Sequence, residues 1–127
     1  ADTDFILSKK LLKNNLQLEI LRRIYMSVSC NISHENKQVV ISVSERFDFS
    51  LHQQFRDAYS KCLEQNFSYI LDLSHTDYMD SSALGMILLL KDHVELHASK
   101  LIIRKPSETV NKILEIAQFH RLMTIEY

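Results

Sequence analysis

The chemistry-bearing residues of this sequence are densest between Asp72 and Gly85, which reads Asp-Leu-Ser-His-Thr-Asp-Tyr-Met-Asp-Ser-Ser-Ala-Leu-Gly. An apolar run, Tyr69 to Leu73, leads into this stretch, and an apolar helical pattern leads out of it. Carboxylates and hydroxyls crowded between a strand and a helix can serve three ends. They can cap the helix, because Asp and Ser side chains accept hydrogen bonds from its free N–H groups. They can offer a hydroxyl for phosphorylation, since the positive helix end and its amides stabilise a dianion. Or Asp72, Asp77 and Asp80 can gather magnesium, as in an aspartate-based phosphoryl-transfer domain of the receiver type. That last reading also needs an acidic pair and a late lysine. Lys105 could be the lysine, but Glu45 and Asp48 are poorly spaced for the pair. Asp80, Ser81 and Ser82 are three consecutive cap-type residues, more than one helix start requires. Gly85, the chain's single glycine, falls inside the expected helix. It costs ~1 kcal/mol relative to alanine there, so close approach of another backbone is the expected reason for it.

Other catalytic constellations are missing. One glycine excludes the phosphate-cradling G-x-x-x-x-G-K-[ST] and the dinucleotide G-x-G-x-x-G, and no G-x-S-x-G elbow occurs. His93 and His97 stand four apart, as a metal pair on a helix would, but without H-E-x-x-H or an adjoining carboxylate cluster. They read as a solvated helix face. Cys30 and Cys62 lack C-x-x-C spacing and read as core or surface thiols in a reducing compartment. No enzyme, cofactor or metal is expected.

The elements that must position the site follow from periodicity. Val28, Cys30 and Ile32 alternate with polar residues, His34–Lys37 is a polar turn, and Val39–Val43 is β-branched. The pattern predicts a hairpin. Ser50 and Gln53 suggest a capping box opening a helix whose stripe is Leu51, Phe55, Ala58, Tyr59 and Cys62. A strand over Tyr69–Leu73, a loop over Ser74–Met79 and a helix over Ser81–His97 follow, the helix with Leu84, Ile87, Leu88, Leu90 and Val94 inward. Leu101–Ile103 is a strand, Pro106 and Ser107 open a third helix, and Met123–Tyr127 is a final edge strand. Strands alternating with helices predict an α/β fold with a mixed, mostly parallel sheet of four to five strands and helices packed against it. Upstream, Leu12, Leu16, Ile20 and Ile24 recur every four residues, which predicts an amphipathic helix over about 8–25. Residues 1–25 form an extension to a domain over 26–127.

Composition agrees. Of the 127 residues 46% are hydrophobic and 24% charged, with a net charge of -1, a balance that gives no reason to expect a nucleic-acid partner. No apolar run approaches a membrane span, and no signal peptide is visible. The expected setting is the cytoplasm, away from membranes.

Residues 68–89, SYILDLSHTDYMDSSALGMILL, resemble the signature of the STAS domain, found in anti-sigma factor antagonists and sulfate transporters. Phe47-Asp48-Phe49 is similar to the family's L-D segment. The element order agrees over residues 26–127, about four-fifths of the chain. Ala83 and Glu45 stand where many members have glycine. The resemblance implies a protein-binding regulator switched by phosphorylation of Ser82, with Asp48 and Asp80 lining the switch and Ser81 as a cap or contact. It implies a serine kinase that is often also an anti-sigma factor, and a serine phosphatase. In single-domain regulators of motility and biofilm pathways these can sit on a response-regulator protein. The unphosphorylated form would bind and the phosphorylated form release. The contact surface is expected at Thr76, Asp77, Met79, Ala83, Gly85, Met86 and Leu89. A constitutive scaffold, as in a transporter-associated subunit, is the alternative, with Ser82 a plain cap. For residues 1–25 the readings are packing on the domain or homodimer formation, a groove-binding segment, or a translation start at Met26.

Overall fold

In the computed structural model, Gln17 and residues 27–127 are described. The expected helix over residues 8–25, and any dimer through it, therefore lie outside the described residues, Gln17 apart.

The alternating segments form the predicted hairpin. Strand β1 (Val28–Ser33) pairs antiparallel with β2 (Gln38–Val43) around the polar turn. In β2 every second residue points inward, so Val39, Ile41 and Val43 are fully buried. Strands β4 (Ser68–Asp72), β6 (Lys100–Arg104) and β7 (Thr124–Glu126) complete a five-stranded sheet in the order β1-β2-β4-β6-β7, parallel except at β1. The centre is β4, where Tyr69, Ile70 and Leu71 are all buried, as a strand covered on both faces requires. Helices α1 (His52–Ser60) and α2 (Ser81–Leu96) pack on each other, and α3 (Glu108–Ile116) follows β6. Ser107 caps α3 by accepting from the Val110 N–H at 3.2 Å, as the sequence predicts.

Three local expectations are corrected. The loop expected over Ser74–Met79 contains a strand, β5 (Thr76–Met79), which pairs in parallel with β3 (Glu45–Phe47) as a small second sheet. Thr76 and Met79 anchor it inward, and the Thr76 hydroxyl donates to the Val43 carbonyl at 2.6 Å. The Ser50–Gln53 capping box does not form. A 3-10 turn, Phe49–Leu51, precedes α1, Asp48 is its cap, and Gln53 instead donates to Asp57. The inward face of α2 is Ala83, Met86, Ile87, Leu90 and Val94, leaving Leu84 half-buried and Leu88 exposed. With leucine at four of its positions 84–90, α2 offers several apolar faces, and tertiary packing selects among them.

Glu45 adopts φ 65°, at the register irregularity that opens the β3–β5 ladder. This left-handed conformation costs an L-residue of this kind roughly 1 kcal/mol and glycine nearly nothing. A Glu45→Gly variant should therefore gain on the order of 0.5 kcal/mol, after allowing for glycine's more flexible unfolded chain. Urea denaturation would read this as a higher midpoint with an unchanged slope.

Candidate functional site

The β3–β5 ladder ends at Phe47 paired with Met79, both buried. The next residue on each strand is an aspartate, and the Asp80 N–H donates to the Phe47 carbonyl at 3.3 Å. Asp48 and Asp80 thus leave the ladder side by side, and each turns at once into a helical segment. The two turns have the same chemistry. At the head of α2, one Asp80 carboxylate oxygen accepts from the Ser82 N–H at 3.0 Å, the Ala83 N–H at 3.2 Å and the Ser82 hydroxyl at 2.5 Å. Before α1, one Asp48 oxygen accepts from the Ser50 N–H at 3.0 Å and the Ser50 hydroxyl at 2.5 Å. Both are Asp-x-Ser caps, in which extended backbone at the aspartate aims its carboxylate at the free helix amides.

Arg46 reaches the second Asp48 oxygen at 3.3 Å while its guanidinium lies 4.4 Å from the centre of the Tyr78 ring. The hydrogen bonds from the Ser50 hydroxyl and amide, helped by Arg46, hold the Asp48 carboxyl below the ordinary carboxylate range. Ser82 and Asp80 are half-buried and Ser81 is exposed.

Of the expected contact residues, Asp77, Gly85 and Leu89 are exposed. Thr76, Met79, Ala83 and Met86 are corrected: their side chains are buried and support the surface from beneath. A Cβ built on Gly85 would meet nothing within 4 Å, so no backbone of the described chain approaches it. Any approach comes from outside the described residues. Phe49, the middle residue of the first cap, was missed as a surface residue. It is 69% exposed and its ring stacks on His52 at 5.4 Å. The available signal was the repetition of Asp-x-Ser at 48–50 and 80–82, since the middle residue of such a cap points outward. Leu89, also exposed, lines a groove with His52, so apolar surface extends from Phe49 along α2.

The magnesium arrangement is not assembled. Asp72 accepts from the Ser74 N–H at 2.9 Å at the end of β4, and no group of three metal-binding side chains occurs among the described residues. Nor are His93 and His97 a solvated face. Each is half-buried, His93 Nε2 lies 2.7 Å from the Cys62 carbonyl, and His97 Nδ1 lies 2.8 Å from the His93 carbonyl.

Residues 29–127 match the sequence profile of the STAS domain, and the chain belongs to this family. It is 39% identical over 100 residues to a STAS-domain containing protein of Pseudomonas aeruginosa (strain UCBPP-PA14), covering 79% of this chain and 99% of that protein. The fold is similar to the anti-sigma factor antagonist SpoIIAA in its unphosphorylated form, with TM-score 0.64, 24% identity and coverage of 77% and 86% of the two chains. It is also similar to the phosphorylated form of SpoIIAA, described as a Bacillus cell fate determinant, with TM-score 0.59, 21% identity and coverage of 77% and 89%. A sulfate transporter family protein from Wolinella succinogenes shares the fold at TM-score 0.64, with 12% identity and coverage of 71% and 76%. No helix among the described residues is long and apolar enough to cross a membrane.

The caps make two predictions. Asp80→Ala removes the acceptor for both amides and the hydroxyl and should cost about 1 kcal/mol, whereas Ser82→Ala keeps both amide bonds and should cost less than about half of that. Urea denaturation separates them. Asp48 has a folded pKa below its unfolded value of about 3.9, so its contribution is present above that pH and lost as pH falls through the folded pKa. Asp48→Asn removes this contribution, and its denaturation midpoint should vary less between pH ~5 and pH ~2 than that of the wild type.

Proposed function

We propose that this chain is a phosphorylation-switched protein-binding regulator, not an enzyme, and that Ser82 accepts the phosphate. The observation that carries the reading is the seat of the Ser82 hydroxyl. It donates its proton to Asp80 in the first turn of α2, so its lone pairs face away from the carboxylate and are open to a phosphoryl donor. The consequence of transfer is electrostatic. A phosphoserine adds about -1.5 to -2 charge and removes the hydroxyl proton from the Asp80 bond. The helix amides that would stabilise a dianion are already held by Asp80. The added charge therefore stays uncompensated beside Asp80, on the surface that also exposes Phe49 and Leu89. The unphosphorylated surface docks a partner and the phosphorylated one releases it.

The partner chemistry that fits is a serine kinase doubling as an anti-sigma factor, or a response-regulator protein carrying kinase and phosphatase, with a serine phosphatase resetting the switch. The similarity of the fold to an anti-sigma factor antagonist supports this reading. Transcriptional control of motility or biofilm formation in the cytoplasm is the setting it implies. Homodimer formation through residues 1–25 belongs to the same proposal and is read by the mass of the full chain in solution.

The test is a capture experiment with wild type, Ser82→Ala and Ser82→Asp, together with mass mapping of phosphoserine on wild-type protein from its host. Phosphate at Ser82, with a kinase or anti-sigma protein retained by the alanine form and lost by the aspartate form, is the expected result. Equal capture by all three and no phosphate at Ser82 would overturn the switch and leave a constitutive scaffold. Gly85→Ala adds a second check. With open space around the new methyl it should stabilise α2 by up to about 1 kcal/mol. It should still weaken partner binding about tenfold or more if a partner backbone lies against Gly85, since a misplaced methyl in a close-packed interface costs on the order of 1–3 kcal/mol.

A further inference from the structure

The chain has two cysteines, and folding brings them together. Cys30 lies on β1, at the edge of the sheet, and Cys62 lies just beyond the end of α1. They are 32 residues apart in sequence, yet their sulfurs are 3.4 Å apart and share a hydrogen bond. Neither is a metal ligand in a larger cluster among the described residues.

We propose that Cys30 and Cys62 are a reversible modification site, closed into an intramolecular disulfide by exchange with a small-molecule disulfide of the glutathione type. The geometry is close to that of the product. An S–S bond is about 2.05 Å long, so the sulfurs must approach by only a little over 1 Å. The edge strand allows this: Cys30 lies on β1, paired on one side only, while Cys62 is held in place by His93 and Tyr69 on its carbonyl. Exposure sets the order of events. Cys30 is half-exposed and Cys62 is buried. The Cys30 thiolate attacks one sulfur of the small disulfide, forming a mixed disulfide and expelling the first thiolate, which takes up a proton. Cys62 then loses its proton to solvent and attacks the Cys30 sulfur. The protein disulfide forms and the second small thiol leaves. Both cysteines are oxidised, and the small disulfide is reduced to two thiols.

Burial, the largest cause in each case, pushes the Cys30 thiol up and the Cys62 thiol up to about 12. Thiols held protonated react slowly, which keeps the pair reduced in a reducing compartment. The same high pKa makes each sulfur a poor leaving group, so the bond, once formed, is slow to reopen. The closed ring would contain β2, β3, the Asp48 cap and α1. It would tie the edge strand to the end of the helix already packed on it. This site is independent of phosphorylation at Ser82.

The test uses the full reduced chain with excess glutathione disulfide. The expected product is a monomer lighter by two hydrogens, with both thiols lost to a thiol reagent. Its melting temperature should rise by on the order of 10 °C, because the unfolded chain is constrained by a ring of this size. The Cys62→Ser variant should stop at a single glutathione adduct on Cys30, and Cys30→Ser should react far more slowly. Persisting free thiols, stable glutathione adducts on wild type, or disulfide-linked dimers would each overturn the proposal. A closed monomer with an unchanged melting temperature would overturn the constraint on α1.

Discussion

The ladder bond from the Asp80 N–H to the Phe47 carbonyl sets the rest of the site. It closes a parallel pair only three to four residues long on each strand, too short to be stable alone. Burial of Phe47 and Met79 holds it, with the Phe47 ring 4.9 Å from that of Phe55. Full burial of a side chain of this size contributes roughly 1.5–3 kcal/mol, more than the few hydrogen bonds of the ladder. The core therefore fixes the ladder, and the ladder delivers two aspartates to adjacent helix starts. Since each cap is worth only about 1 kcal/mol, neither could impose this placement itself. The placement comes from below, and the caps exploit it.

Two like caps side by side put two carboxylates near one surface, with Arg46 bonded to one of them. A third negative group there acts at short range. Two unit charges about 4 Å apart repel by about 1 kcal/mol in water and about 4 kcal/mol near a protein surface of lower effective dielectric. For the proposed switch, the scale to compare with is about 1.4 kcal/mol for each factor of ten in partner affinity.

Sequence periodicity reached the main sheet because its strands carry their signal locally. Val39, Ile41 and Val43 alternate inward, and Tyr69 to Leu71 form an unbroken apolar run. The second sheet was illegible for the opposite reason. In β5 the buried residues are Thr76 and Met79, three apart, and its partner strand lies some thirty residues upstream. The family resemblance reached Asp48, Asp80 and Ser82 through an ordered motif. It could not tell which neighbours were inside, and Thr76, Met79, Ala83 and Met86 are buried. Ser50 looked like a cap from its spacing to Gln53, but Asp48 two residues earlier is the stronger acceptor and starts a 3-10 turn instead. The meeting of Cys30 with Cys62 depends on how α1 lies against β1, which no local pattern encodes. At Glu45 the reverse occurred: a position where glycine was the expected family residue has a positive φ, the conformation that glycine adopts at least cost.

Helix α1 joins the Asp48 cap, beside the proposed phosphorylation site, to Cys62 of the proposed disulfide. The Asp48 cap lies before its first turn and Cys62 lies two residues beyond its last helical residue. The two chemistries act through different physical terms. A phosphate at Ser82, as proposed, adds charge at the head of α2, across the ladder from Asp48, and acts over short range only. A disulfide at the far end adds no charge and acts through chain entropy and stiffness. Effects carried by surface charge fall off within a Debye length of about 8–10 Å at physiological salt. Effects carried by a rigid helix do not. Rigid routes run from Cys62 to the surface along α1, which follows the Asp48 cap and the exposed Phe49, and into α2, where His93 Nε2 lies 2.7 Å from the Cys62 carbonyl. Under the two proposals, oxidation alters how firmly the surface is held and phosphate alters whether it is accepted.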